Sequence, residues 1–259
     1  MSCKGNRRRY IYIDKGRIVK EQRFYRQFHK AKDLTYFHIQ VEQTDLDIGA
    51  ERYLRKEALE LVQKYRAKII DYIKKVPEFL MALTPLECNE NEEEIIRRMH
   101  YAAKKAGVGP MAAVAGAISE FVGRELLKFS REIIVENGGD IFIKSDRDRI
   151  IGIYAGDSPL SNKIGIKVSA ADTPMGICTS SGKIGHSLSF GKAHAAVILS
   201  KDTLLADAVA TATGNKIKEI NDIKKAINFA KSIGGVDGVV VIIEDKIGAW
   251  GNVNLVKLP

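Results

Sequence analysis

Cysteine is scarce in this chain, and its scarcity excludes something. Its three cysteines (Cys3, Cys88, Cys178) are odd in number and form no Cys-x-x-Cys pair. That argues against a disulfide framework and against a structural zinc site. Long apolar runs are also missing: the longest nearly apolar stretch, Gly109 to Ile118, falls well short of the roughly 18 residues a membrane-crossing helix needs. The opening MSCKGNRRRY carries charge with no apolar stretch behind it, so neither a secretory leader nor a lipoprotein signal is read there. A reducing cytoplasm is the expected compartment. What remains is an ordinary folded composition, 45% hydrophobic and 28% charged over 259 residues. Such a chain can bury a sizeable core without disulfides or structural metals.

The formal net charge of +9 is local. Residues 1–33 hold eleven Lys and Arg against three acids, interleaved with Tyr10, Tyr12, Phe24, Tyr25 and Phe28. Such a segment is either an anion or RNA surface or a solvated strand face. The second is adopted here, and no nucleic-acid partner is expected.

Alternation predicts a basic hairpin over residues 1–33 and a strand over Thr35 to Glu42. Leu54, Ala58, Leu61, Val62, Tyr65, Ile69, Tyr72 and Ile73 fall at helical spacing, predicting a helix over roughly Glu51 to Lys75. Pro77 and Pro85 interrupt it. A second helix is read from Asn91, with Glu94 completing a capping box and Ile95, Ile96, Met99, Ala102, Ala103 and Ala106 as its apolar face. Gly107-Val-Gly-Pro110 ends that helix and starts another, rich in Ala and Gly, over Met111 to Leu127. Glycine costs helix stability, so this helix needs close backbone approach, within the chain or across a dimer. Short strands follow at Ile133–Glu136, Ile141–Lys144, Arg149–Ala155, Ile164–Val168, Gly176–Thr179 and Ala193–Ser200. Helices near Thr203–Thr213 and Ile220–Ile233 and a strand Val239–Glu244 complete the expectation. The pattern is one α+β domain spanning residues 1–259.

Three motifs are rejected. Gly107-x-Gly109-x-x-Ala112 follows a helix where a dinucleotide fingerprint needs a strand. Gly176 to Lys183 has its glycines one residue too far apart for a P-loop, and Ile184 stands where Ser or Thr would hold magnesium. Gly185-His-Ser-Leu-Ser189 lacks the closing glycine of a nucleophile elbow.

Four places can carry chemistry. Asn137-Gly138-Gly139-Asp140 is a hairpin turn, or a close backbone approach to a phosphate or ring. Thr179-Ser180-Ser181-Gly182 either lines a phosphate or sugar pocket or closes a strand, with Cys178 just before it. Asp207 and Thr211, at i and i+4, share one face of a helix made of small apolar residues. A carboxylate there is costly to bury unless paired or metal-bound, and two oxygen ligands suit magnesium. His186, beside the hydroxyl cluster, is a candidate acid or base.

Taken in order, these segments resemble the ApbE superfamily of flavin transferases, in its shorter cytoplasmic branch of ApbE-related proteins. The resemblance runs from Thr44-Asp-Leu46 onward. It is sharpest at Ala106 to Ile118, Val135-Glu-Asn-Gly-Gly-Asp-Ile141, Cys178 to Gly182, Gly185 to Lys192 and Leu205-Ala-Asp-Ala-Val-Ala-Thr-Ala-Thr-Gly-Asn215. It implies a T-fold type α+β protein with a mixed sheet and packed helices. It also implies FAD bound beside Mg2+ and FMN transferred to a threonine of an acceptor protein. Asp207 and Thr211 match the magnesium pair, and Asn137 to Asp140 match the glycine-rich turn at the flavin. Thr179 and Gly182 match a Thr-Ser-Gly motif with one residue inserted. Two departures point to altered chemistry or ligand. His186 is followed by Ser187-Leu-Ser-Phe-Gly191 without the family's Asp-Pro, and Ala115-Gly-Ala-Ile-Ser-Glu120 lacks the lysine of Gly-Gly-Ile-Ala-Lys-Gly. The alternative that the resemblance implies is an accessory protein of sulfur metabolism, serving sulfide incorporation into homocysteine, with Cys178 or Cys88 as the thiol and a sulfur-transfer partner.

Overall fold

A computed structural model describes residues 31–182 and 191–258. The basic hairpin read over residues 1–33 therefore lies almost wholly outside the described residues, as does His186. The chain enters through β1 (Thr35–Val41), which pairs antiparallel with β2 (Thr44–Ala50). The sequence reading missed β2 because Asp45 and Asp47 disfavour a strand. Leu46, Ile48 and Ala50 nonetheless alternate into the core, and that burial decides the matter.

The helix layer follows. α1 (Arg55–Lys75) begins a turn later than expected and buries Ala58, Val62, Tyr65, Ile69 and Tyr72. A short α2 (Glu78–Met81) starts after Pro77. α3 (Glu94–Ala106) corrects the expected start at Asn91. The capping box does not form: Glu93 holds the cap position, and the Asn91 N–H donates to Asn89 Oδ1 at 2.9 Å. The predicted apolar face of α3 is buried, and Gly107 ends the helix at a φ of 71°. After a 3-10 turn over Pro110–Ala113 comes α4 (Val114–Leu126), with Gly116 through Gly123 all buried. Its small-residue surface therefore packs inside the chain.

Strands β3 (Ile133–Asn137), β4 (Asp140–Lys144), β7 (Met175–Ser180), β8 (Ala195–Ser200), β9 (Val236–Ile243) and β10 (Lys246–Gly251) join β1 and β2. Together they make an eight-stranded sheet in the order β1-β2-β3-β4-β7-β8-β9-β10, antiparallel at every pairing where a mixed sheet was expected. Strands β5 (Arg149–Gly152) and β6 (Ile164–Val168) leave this sheet and form a second one, in the order β11-β6-β5, with β11 (Asn254–Lys257). The sequence reading carried β5 on to Ala155 and stopped before β10 and β11. Both missed strands are largely exposed and carry little apolar pattern.

Alternation along the large sheet sends side chains to two cores. Ile133, Val135, Cys178, Ile198, Val239 and Val241 meet the helices, while Ile134, Ile177, Val197, Val240 and Ile242 meet the small sheet. Helix α5 (Thr203–Asn215) is buried along nearly its whole length. Its start is held by two carboxylates: Asp202 Oδ1 accepts from Leu205 N–H at 3.0 Å, and Glu120 Oε2 accepts from Thr203 N–H at 2.7 Å. Burial pushes the Glu120 carboxyl up, but Arg98, Arg124 and that N–H outweigh it and leave it below the usual range. Helix α6 (Ile223–Ser232) follows a 3-10 turn over Ile220–Asp222 and packs on β9 and β10.

Candidate functional site

The site grows from the turn between β3 and β4. Asn137 pairs with Asp140, and the two residues between them, Gly138 and Gly139, have φ of 69° and 104°. Only glycine adopts such values freely, so this is a genuine tight hairpin turn. Glu136 Oε1 pins it by accepting from Gly139 N–H at 2.8 Å. A Cβ at Gly139 would lie 3.6 Å from the Thr179 carbonyl, so the turn rests on the end of β7.

The period of two then sorts the candidate residues onto two faces. Gly138, Gly139, Thr179 and Ser181 line a cavity of about 160 Å³ between the two sheets, together with Tyr36 and Tyr154. Asn137, Asp140 and Cys178 belong to the helix side. Ser180 is buried, its Oγ 3.4 Å from where a Cβ on Gly214 would sit. Gly182 has a packing reason of its own: a Cβ there would fall 1.9 Å from the Gly191 carbonyl oxygen, and one on Gly191 would fall 1.9 Å from that of Gly214. The three glycine backbones thus stack, and the first two flank the segment that carries His186.

On the helix side, the register sets Asp140 opposite Cys178, and Asp207 approaches from α5. Asp207 Oδ2 accepts from Gly116 N–H at 2.8 Å. Burial pushes the Asp207 carboxyl up to about 7, even against that hydrogen bond. Asp140 is pushed well above the ordinary carboxylate range, first by burial and then by the charge of Asp207. Its Oδ1 has no hydrogen-bond partner among the described residues. Two carboxylates in a dry pocket cannot both ionise cheaply, so a cation or a shared proton belongs here. Thr211 lies one turn beyond Asp207 and is half-buried.

The donor set fits magnesium. Among the described residues no three His, Cys, Asp or Glu side chains stand together to hold a metal by themselves. A hard ion bound by Asp207 and the Thr211 hydroxyl would take its other ligands from carbonyl, water and phosphate oxygens, as magnesium usually does. Ser119 stands where the family motif has lysine. It is fully buried, and its Oγ lies 2.9 Å from the carbonyl oxygens of both Ala115 and Asp140. No side-chain cation replaces the missing lysine at that position.

A second cavity, of about 470 Å³, opens on the same side between α1, α2 and α4. Its wall includes Ala115 and Asn137, joined by an Asn137 Nδ2–H bond to the Ala115 carbonyl at 3.2 Å. At its edge Arg66 donates to Thr44 Oγ1 at 2.7 Å and to Glu42 Oε2 at 2.5 Å. The sequence reading did not single out this cavity. Its residues come from five separated segments, and their apolar members read as ordinary core.

The described histidines serve the scaffold. His38 pairs with Asp45, His100 bridges Tyr72 and the Leu86 carbonyl, and His194 accepts from Glu244 N–H and faces Asp157. Cys178 is fully buried, and burial, then Asp140 and Asp207, push its thiol well up. Burial also raises Cys88, which is partly exposed.

A family model described as "AbpE bacteria" matches residues 26–249. The UPF0280 protein of Methanosarcina acetivorans is 42% identical over 221 residues, covering 83% of this chain and 86% of its own length. The UPF0280 protein of Archaeoglobus fulgidus is 40% identical over 222 residues, covering 83% of this chain and 91% of its own. Among solved structures, the apo flavinyl transferase ApbE of Pseudomonas stutzeri superposes with a TM-score of 0.54 at 15% identity. That match covers 84% of this chain and 94% of the other. The ApbE protein of Thermotoga maritima gives a TM-score of 0.51 at 13% identity, over 83% and 96%. At those identities the structures speak for the shared fold.

Proposed function

The chain belongs to this ApbE-related family, and from that premise we propose that it binds FAD with magnesium and transfers an FMN group to an acceptor hydroxyl. The observation that carries the reading is the buried pair Asp140 and Asp207 at the base of the glycine turn. A lone buried carboxylate costs several kcal/mol, and a doubled one persists only where something cationic or protonated relieves it.

Each residue then has a defined task. Asp207 and Thr211 would hold the ion, which when bound supplies positive charge against the diphosphate. The Gly138–Gly139 backbone lets a phosphate or ribityl chain approach without a side chain in the way. Thr179 and Ser181 offer hydroxyls at the neighbouring strand end, while Gly182 lets its backbone pack against the Gly191 carbonyl. His186 would take the proton from the attacking hydroxyl. Ser119 ties α4 to β4 rather than meeting the diphosphate, so the ion carries more of the neutralisation than it would beside a lysine. The acceptor in this reading is a hydroxyl of a partner protein. The sulfur-transfer alternative draws no support from Cys178, because a thiol so buried and so raised is a poor nucleophile at neutral pH.

Calorimetric titration of FAD, with and without magnesium, into wild type and Asp207→Ala tests the proposal. Magnesium-dependent binding that the variant loses is the expected result. Absence of binding to the wild type, or binding indifferent to both magnesium and Asp207, overturns it.

A further inference from the structure

Helices α4 and α5 make a reciprocal exchange where they meet. Gly116, the third residue of α4, donates its N–H to Asp207 Oδ2 on α5 at 2.8 Å. Thr203, the first residue of α5, donates its N–H to Glu120 Oε2 on α4 at 2.7 Å. First-turn N–H groups have no acceptor within their own helix. Each helix therefore caps the other's first turn with a carboxylate. Gly116 and Glu120 are about one turn apart on α4, as are Thr203 and Asp207 on α5. The helices thus pass in opposite directions, with the two bonds as successive rungs.

Side-chain ridges normally locate one helix along another. Here the buried residues are small, Ala206, Val209 and Ala210 on α5 and Gly116, Ala117 and Gly123 on α4. Ridges this shallow leave the axial position to directional contacts. Glu120 supplies a strong one, because it is fully buried and its other oxygen, Oε1, lies 2.8 Å from Arg98 Nη1 and 2.7 Å from Arg124 Nε.

We infer that Glu120 is a positioning residue: it sets where α5 lies along α4 and thereby holds the Asp207 carboxylate at the ion site. The inference rests on the magnesium and flavin reading above for what Asp207 does, and on the helix contact alone for what Glu120 does. Glu120 stands where Gly-Gly-Ile-Ala-Lys-Gly ends in glycine, which has no side chain to reach Thr203.

Reach and charge separate at this position. Glu120→Asp keeps the charge that Arg98 and Arg124 need and falls one methylene short of Thr203. Glu120→Gln keeps an oxygen at full reach and loses the charge. Gly123→Ala, further along α4, serves as a control that costs stability without touching either rung. A cooperative thermal melt checks that each full-length variant folds; if Glu120→Gln does not, Glu120→Asp against Gly123→Ala decides. The first readout needs no ligand: NMR hydrogen exchange of the Gly116 amide, taken relative to Val122 in the same helix. The second is calorimetric titration of FAD with magnesium. Glu120→Asp is expected to speed relative Gly116 exchange and weaken FAD binding, each by about tenfold, the order set by loss of one charge-assisted bond. Glu120→Gln and Gly123→Ala should stay near wild type in both, although both melt lower. Effects that follow melting temperature across the three variants, or a Gly116 amide indifferent to Glu120→Asp, overturn the inference. Magnesium-dependent FAD binding by the wild type that Glu120→Asp leaves unchanged, with Gly116 exchange unchanged too, sinks Glu120 and leaves the flavin reading standing. The expected exchange pattern in a chain whose wild type binds no FAD does the reverse.

Discussion

Asp207 concentrates the chemistry that one side chain can reveal. Its carboxyl is raised from an ordinary value of 3.8 to about 7, and Asp140 moves in the same direction. Between those pH values the folded state keeps protons that the unfolded chain has released, so stability falls as pH rises through that window. Without magnesium, the wild type is expected to melt several degrees higher at pH 5 than at pH 8. At pH 8 magnesium should recover part of the loss. Asp207→Asn should flatten the slope, melt above wild type at pH 8 and ignore magnesium. Calorimetric melts at the two pH values check all three, and parallel profiles for the two proteins would sink the account. Cys178 offers a second test. Buried and held protonated, it should resist iodoacetamide until the protein unfolds, while Cys88 is modified sooner. Mass spectrometry of labelled peptides decides, and fast labelling of Cys178 in folded protein would reopen the sulfur reading.

Helix α4 shows why glycine inside a helix can be a demand of packing. A Cβ on Gly116 would stand 2.5 Å from the Thr203 carbonyl oxygen and 2.9 Å from Asp207 Cβ; one on Gly123 would stand 2.2 Å from the Phe142 ring. Overpacking of this kind costs roughly 1–3 kcal/mol. Gly123→Ala should therefore lower stability by about that amount and leave FAD affinity alone, because Gly123 lies about two turns along α4 from the Gly116 N–H that holds Asp207. Gly116→Ala should lower both, since it displaces the N–H that holds Asp207. Denaturant melts with parallel FAD titrations separate the two cases. The close approach itself was legible, as were the amphipathic faces of α1 and α3 and the turn at Asn137-Gly138-Gly139-Asp140, because each has a local signature. Strand β2 was not legible, since its acids oppose a strand locally and only pairing with β1 and β3 settles it. Nor was the start of α3, where Asn89 takes the hydrogen bond that a cap at Asn91 would have used.

The large sheet divides the molecule, and the glycine turn sits at the division. Residues adjacent in sequence there serve opposite faces: Asn137 and Asp140 the helix layer, Gly138 and Gly139 the space beneath the small sheet. Spacing along the chain could name these residues together but could not separate them. Separation needs the register of Asp140 with Cys178 and the arrival of α5 and α4 from distant parts of the sequence. A ligand that spans the turn must therefore be anchored by both layers, and its binding should stabilise the whole fold rather than one loop. At a concentration 100-fold above its dissociation constant, a ligand specific for the folded state adds about 2.7 kcal/mol. For a chain of this size that is roughly 5–10 °C in Tm. FAD with magnesium should give a shift of that order in a single cooperative transition. FAD alone, facing Asp140 and Asp207 without a cation between, should give less, and Asp207→Asn should remove the difference between the two conditions. A shift that is equal with and without magnesium in the wild type would mean that the carboxylate pair meets its charge through protons alone, with the ligand anchored elsewhere.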